Sequence, residues 1–212
     1  MVMANTLEFP NGMRLVRLDE LPGPESQRAV EWARVQRSHI APGYKLTESN
    51  DLRFAKYAEI NVNAPNIWSV FRDLCHALLG PTATLVAGEV GDEPCSVGSG
   101  DTSSIITMLE RHQYQLSHDG FVQFGLICDL NGTISEVFVA PTKHFKVWLN
   151  AEKLFRSIMD RHKILEQSRL EFIDEYPRTT VALPEGPDAF LPRELLNCFK
   201  NELGGSTVAR LN

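Results

Sequence analysis

Apolar side chains recur at three- to four-residue spacing most clearly at Ile67, Val70, Phe71, Leu74, Cys75 and Leu78. That is the stripe of an amphipathic helix. Asn63 precedes it as a cap, Pro65 suits its first turn, and Gly80-Pro81 ends it, since Gly accepts a left-handed residue and Pro cannot continue a helix. A second stripe, Val147, Trp148, Ala151, Leu154, Phe155, Ile158 and Met159, predicts a long helix over 143–162 with Trp148 in the core. A narrow apolar side at Ala29, Trp32 and Ala33 predicts a peripheral helix over 25–38, and Leu195, Leu196, Phe199 and Leu203 a final one after Pro192.

Elsewhere the period is two. Leu7 and Phe9, the turn Asn11-Gly12 and the run 13–18 predict an N-terminal hairpin, because those turn residues tolerate positive φ. Strands are expected over 54–62 and 82–90. Segments 112–116, 121–128 and 133–139 read as a three-stranded meander turned at Asp119-Gly120 and Asn131-Gly132, with Val122, Phe124, Leu126 and Cys128 on one face. Residues 39–50 show little periodicity, 88–101 read as an irregular Gly-, Ser- and acid-rich loop, and Asp101 or Thr102 caps a short helix over 103–111. In 163–190, Leu170, Phe172 and Ile173 either extend the helix or form an edge strand, while Pro177, Pro184 and Pro187 argue for a meandering surface segment; the last seven residues are expected to be loose.

Antiparallel hairpins mixed with helices predict an α+β fold: one domain with a mainly antiparallel curved sheet, on which the 64–79 and 143–162 helices pack. Residues 1–50 form a peripheral hairpin and helix, 54–162 the central sheet, and 163–212 a C-terminal extension.

Charge narrows the function. With 21 basic against 27 acidic residues the net charge is −6, which argues against a nucleic-acid partner and fits a small-molecule enzyme or a module that meets a basic protein partner equally well. The first five residues lack a basic region followed by an apolar run, so no export signal is expected. No apolar run reaches the roughly 18–20 residues needed to span a bilayer, and a cytoplasmic protein follows. Cys75, Cys95, Cys128 and Cys198 are dispersed and expected to be reduced, with Cys75 and Cys128 as small core residues. No two Cys or His residues stand at zinc-ligand spacing, so neither a metal nor another cofactor is expected.

Two sets of residues are candidates for a site. Glu89, Asp92 and Glu93, with Asp101 behind them, lack the ligand pattern of a calcium loop and read as an acidic patch that steers a basic partner. Trp32, on the weakest helix, is the candidate aromatic anchor. The alternative site centres on Cys95 and Ser99 in a glycine-rich loop running into a helix. That loop lacks the Lys-Ser/Thr of a phosphate loop, and Asp101 repels anions. For Cys95 to act as a nucleophile, His112, His118 or His144 must fold against it.

The stretch Asp119-Gly120-Phe121-Val122-Gln123-Phe124-Gly125, with Glu136-Val137-Phe138-Val139 and Phe145-Lys146-Val147-Trp148, resembles small bacterial α+β proteins of the toxin-immunity type across residues 57–162. The resemblance implies a meander with a helix, and assigns no site residue. The leading expectation is a non-enzymatic protein-binding module, immunity-like or regulatory, monomeric or a homodimer paired through the N-terminal edge strand. The alternative is a small-molecule enzyme or ligand binder built on the 88–104 loop. The first needs an exposed patch joining acids and an aromatic, the second a pocket where the loop meets a histidine.

Overall fold

The computed structural model describes residues 6–183 and 190–208. Its strands are β1 (Met13–Leu15), β2 (Gly43–Glu48), β3 (Lys56–Asn61), β4 (Thr82–Glu89), β5 (Cys95–Asp101), β6 (Val122–Leu130), β7 (Thr133–Val139), β8 (Phe145–Leu149) and β9 (Arg178–Thr180). Its helices are α1 (Glu25–Gln36), α2 (Ile67–Leu78), α3 (Thr102–Glu110), α4 (Gln113–His118), α5 (Glu152–Arg161) and α6 (Pro192–Val208). Seven strands form one open sheet in the order β2-β3-β8-β7-β6-β4-β5, and β1 pairs with β9 separately. All these pairs are antiparallel, as the α+β reading requires.

Because side chains alternate across a pleated strand, the register sorts the sheet into two faces. One carries Tyr44, Ala58, Ile60, Phe145, Val147, Val137, Val139, Phe124, Leu126, Leu85 and Ala87, all buried. Phe71 and Leu74 of α2, Phe155 of α5 and Leu195 and Phe199 of α6 share that core. The opposite face carries a row of partners running Thr47, Tyr57, Trp148, Glu136, Ile127, Thr84 and Ser99, each partly or fully exposed. A satellite cluster of Met13, Ile40 and Ile173 packs with Leu7, Phe9 and Leu15.

The sequence reading needs correction at several places. Within 163–183, Ile164, Phe172 and Ile173 are buried and Arg178–Thr180 pairs with β1, so this stretch is not a surface meander. The 10–13 turn forms, with Met13 N donating to Pro10 O, but β1 pairs with β9 and not with 7–9. Among the described residues the expected N-terminal hairpin therefore does not form. Residues 43–48 are a strand whose Tyr44 and Leu46 face inward. Residues 95–101 are a strand, not a loop. Residues 112–116 belong to the α4 region, where Leu116 N donates to His112 O; over five residues the two periods are not separable. The 143–162 helix is a strand followed by the shorter α5. Phe145, Val147 and Leu149 are fully buried, while Trp148 points to the face away from the helices, its ring tilted against Tyr57 at 5.2 Å. The meander is therefore β6-β7-β8.

The remaining expectations fare better. Cys75 and Cys128 are buried, the 64–79 helix packs on the sheet as α2, and Asn131 (φ 56) and Gly132 (φ 84) make the expected β6–β7 turn. Asn63 does not cap α2, however; its Oδ1 accepts from Glu8 N at 2.9 Å. Helix α6 continues through Val208. The absent export signal at 1–5, Pro184, Pro187 and the final residues 209–212 fall outside the described residues. Among the described residues, no helix is long and apolar enough to cross a membrane.

Candidate functional site

The acidic residues of the β4–β5 connection stand on a pinned turn. Gln123, opposite Gly88 in the β4–β6 ladder, donates from its Nε2 to Glu89 O at 3.2 Å and to Asp92 O at 2.8 Å. Val90 N donates to Phe121 O and Asp92 N to Glu89 O. Gly91 takes φ 94, a conformation that costs glycine little. Gly88 is nearly in contact with the turn, since an added Cβ would lie 3.0 Å from Pro94 Cα. These bonds anchor the backbone, so the side chains of Asp92 and Glu93 project into solvent.

Helix α6 supplies the facing wall. Gln115 of α4 exchanges hydrogen bonds with Phe190, Nε2 to O at 2.6 Å and N to Oε1 at 3.2 Å, and Leu195 and Phe199 are fully buried. Arg193, Asn197 and Lys200 then line a cleft against Glu89, Asp92, Glu93 and Cys95. Arg193 Nε comes within 3.9 Å of Glu89 Oε1, a solvent-exposed contact of small energetic weight. The cleft encloses about 180 Å³, below the roughly 300–1,000 Å³ of small-molecule sites. It suits one long side chain better than a substrate.

The other candidates are dispersed. Ser99 and Asp101 line a separate groove of about 970 Å³ between β5, α3 and α6. Asp101 is the cap of α3: its Oδ2 accepts from Ser104 N and Ser104 Oγ, both at 2.8 Å. Those bonds hold its carboxyl below the usual range. Trp32 lies on α1 in a third groove with Leu18, Arg28 and Ala29, and does not line the acidic cleft.

None of the three histidines lines the cleft with Cys95. His118 Nδ1 accepts from Asn11 N at 3.1 Å, and its ring stacks on Tyr114. Burial, with Lys143 nearby, lowers its pKa. His144 is buried against Phe172 and hydrogen-bonded to Thr142 Oγ1 at 2.8 Å; burial pushes it down to about 4. His112 contacts Phe190 and Phe199 edge-on at 5.4 and 5.5 Å. None of these three histidines is therefore placed to serve Cys95 as the base of a thiol nucleophile.

Three groupings escaped the sequence reading. Arg193, Asn197 and Lys200 share one side of α6 at i, i+4 and i+7 spacing, a signal that was present in the sequence. Lys143 gave none. It is 2% exposed, takes φ 59, and donates from Nζ to Val122 O at 2.7 Å; burial pushes its pKa down to about 7 against the pull of Asp119. Finally, His112, Cys198 and Glu202 bring one ligand atom each to within 4.8 Å of one another. Cys198 Sγ lies 3.4 Å from Glu202 Oε1, while Arg111 Nη2 pairs with Glu202 Oε2. Burial and this carboxylate raise the Cys198 thiol, the reverse of what a nucleophile needs.

No protein-family model, no curated protein and no solved structure matches the chain.

Proposed function

We propose that this chain is a non-enzymatic protein-binding module, immunity-like or regulatory in the manner of small bacterial proteins, acting in the cytoplasm on a basic protein. The observation that carries the reading is the pinned turn. Gln123 fixes the backbone on which Glu89, Asp92 and Glu93 stand, so a partner meets a preformed cluster of negative charge, and little ordering cost opposes binding. Arg193 and Lys200 line the cleft beside it, so a partner's Lys or Arg side chain is met by Asp92 and Glu93 on the exposed side of the turn. Trp32 stands in a different groove and does not join the acidic patch; exposed Val90 and Leu191, each one or two residues from the Glu89–Arg193 contact, supply apolar surface at the rim instead.

The test is capture of partners on the tagged chain beside a Glu89→Lys, Asp92→Lys, Glu93→Lys triple variant, followed by titration with the purified partner. A basic protein that binds the wild type with an affinity that falls as salt rises, and at least about tenfold more weakly to the variant, is the expected result. Equal binding to the variant removes the acidic turn from the interface and the reading with it.

A further inference from the structure

We propose that His112, Cys198 and Glu202 form a binding site for a divalent transition metal of the zinc class. The donor set is imidazole, thiolate and carboxylate, the three groups that bind zinc in proteins. Cys198 and Glu202 are one turn apart on α6, so both side chains leave the same side of the helix. His112 meets them from the junction of α3 and α4.

Distances favour the assignment. Donors around tetrahedral zinc lie about 3.3–3.8 Å apart, given bonds of roughly 2.0–2.3 Å. Cys198 Sγ and Glu202 Oε1 already stand 3.4 Å apart, and all three ligand atoms lie within 4.8 Å of one another. Rotation of the half-buried side chains closes that gap. Rigid elements hold the ligands: the His112 ring packs against Phe190 and Phe199, and Phe199 is itself fully buried beside Cys198. Arg111 engages Glu202 Oε2, which leaves Oε1 turned toward the thiol and orients the carboxylate as an outer partner does in zinc sites.

Binding replaces the thiol proton with the metal, so one proton passes to solvent for each ion taken up. Three protein ligands leave a fourth position to water from the groove that Glu202 lines. The ion would tie α6 to the α3–α4 junction. The site is separate from the acidic turn and does not depend on a protein partner.

The experiment titrates Co²⁺ and then Zn²⁺ into the full chain after chelation and reduction. The expected result is one Co²⁺ per chain with a thiolate-to-cobalt charge-transfer band, abolished by one equivalent of Zn²⁺. Cys198→Ser loses the band, Cys95→Ser keeps it, and Glu202→Gln or His112→Gln weakens Co²⁺ binding by at least about tenfold. X-ray absorption of the zinc-loaded wild type, which needs no variant, shows one sulfur among nitrogen and oxygen neighbours. Absence of the band in the wild type, its persistence in Cys198→Ser, or a zinc shell with no sulfur or with two overturns the proposal.

Discussion

Gly98 of β5 and Leu203 of α6 meet with no room for another carbon: a Cβ at 98 would stand 2.7 Å from Leu203 Cβ. This contact lets α6 lie flat on the edge strand, which places Arg193, Asn197 and Lys200 opposite the acidic turn. Gly98→Ala forces the helix outward and is expected to cost about 1–3 kcal/mol, as overpacking does. Urea denaturation measures it; an unchanged midpoint contradicts the close docking of α6.

Gly132 tests the β6–β7 turn by a different mechanism. It sits at φ 84 with nothing within 4 Å of an added Cβ, so Gly132→Ala meets backbone strain without a clash. A loss of about 1–2 kcal/mol is expected. A neutral result means that the turn has another conformation.

Lys143 predicts a pH dependence. Its pKa is about 7 in the fold against 10.5 in the unfolded chain, burial being the main cause and Asp119 opposing it. Between those values the unfolded state binds more protons, so stability rises with pH across the window. The penalty is fully present below about pH 7 and gone above 10.5. Lys143→Met removes the group, and the wild-type curve should climb relative to the variant by at most about 1.4 kcal/mol per pH unit. Parallel curves from pH 7 to 10 contradict the buried ammonium.

Asp101 separates a structural from a binding role. Asp101→Ala removes both hydrogen bonds to Ser104 and should lower the Tm by about 2–4 °C while leaving the binding of a basic partner unchanged. Weakened binding without a stability change would restore Asp101 to the acidic site.

Much of the fold was legible because single elements announced themselves. The stripe of α2, the turn at Asn131-Gly132 and the alternation of β6 each sit within one uninterrupted period. The misreading of 143–162 has a local cause. Val147 in the strand and Ala151 beyond it fall at helical spacing with the stripe of α5, and nothing in composition marks Asn150 as the break. In the structure Asn150 Oδ1 accepts from Ala55 N at 2.9 Å and its Nδ2 donates to Ile134 O at 2.9 Å, contacts made across strands that local pattern does not record. The acidic turn was visible as charge, but the bonds from Gln123 that pin it were not. Cys198 and Glu202 stand one turn apart, but His112 comes from a distant stretch, so no spacing rule joins all three.

The strand order has a consequence for how the chain comes together. The β2–β3 hairpin is made early but lies beyond β8, whose last residue is Leu149, and β1 waits for β9, more than 160 residues later in the chain. During synthesis the first two sheet strands have nowhere to dock until most of the chain has left the ribosome, and the free edge of β3 stays open to wrong pairings meanwhile. Contacts this distant in sequence slow folding through the entropy of closing long loops. Completing the sheet therefore has to wait for strands made long after β2 and β3.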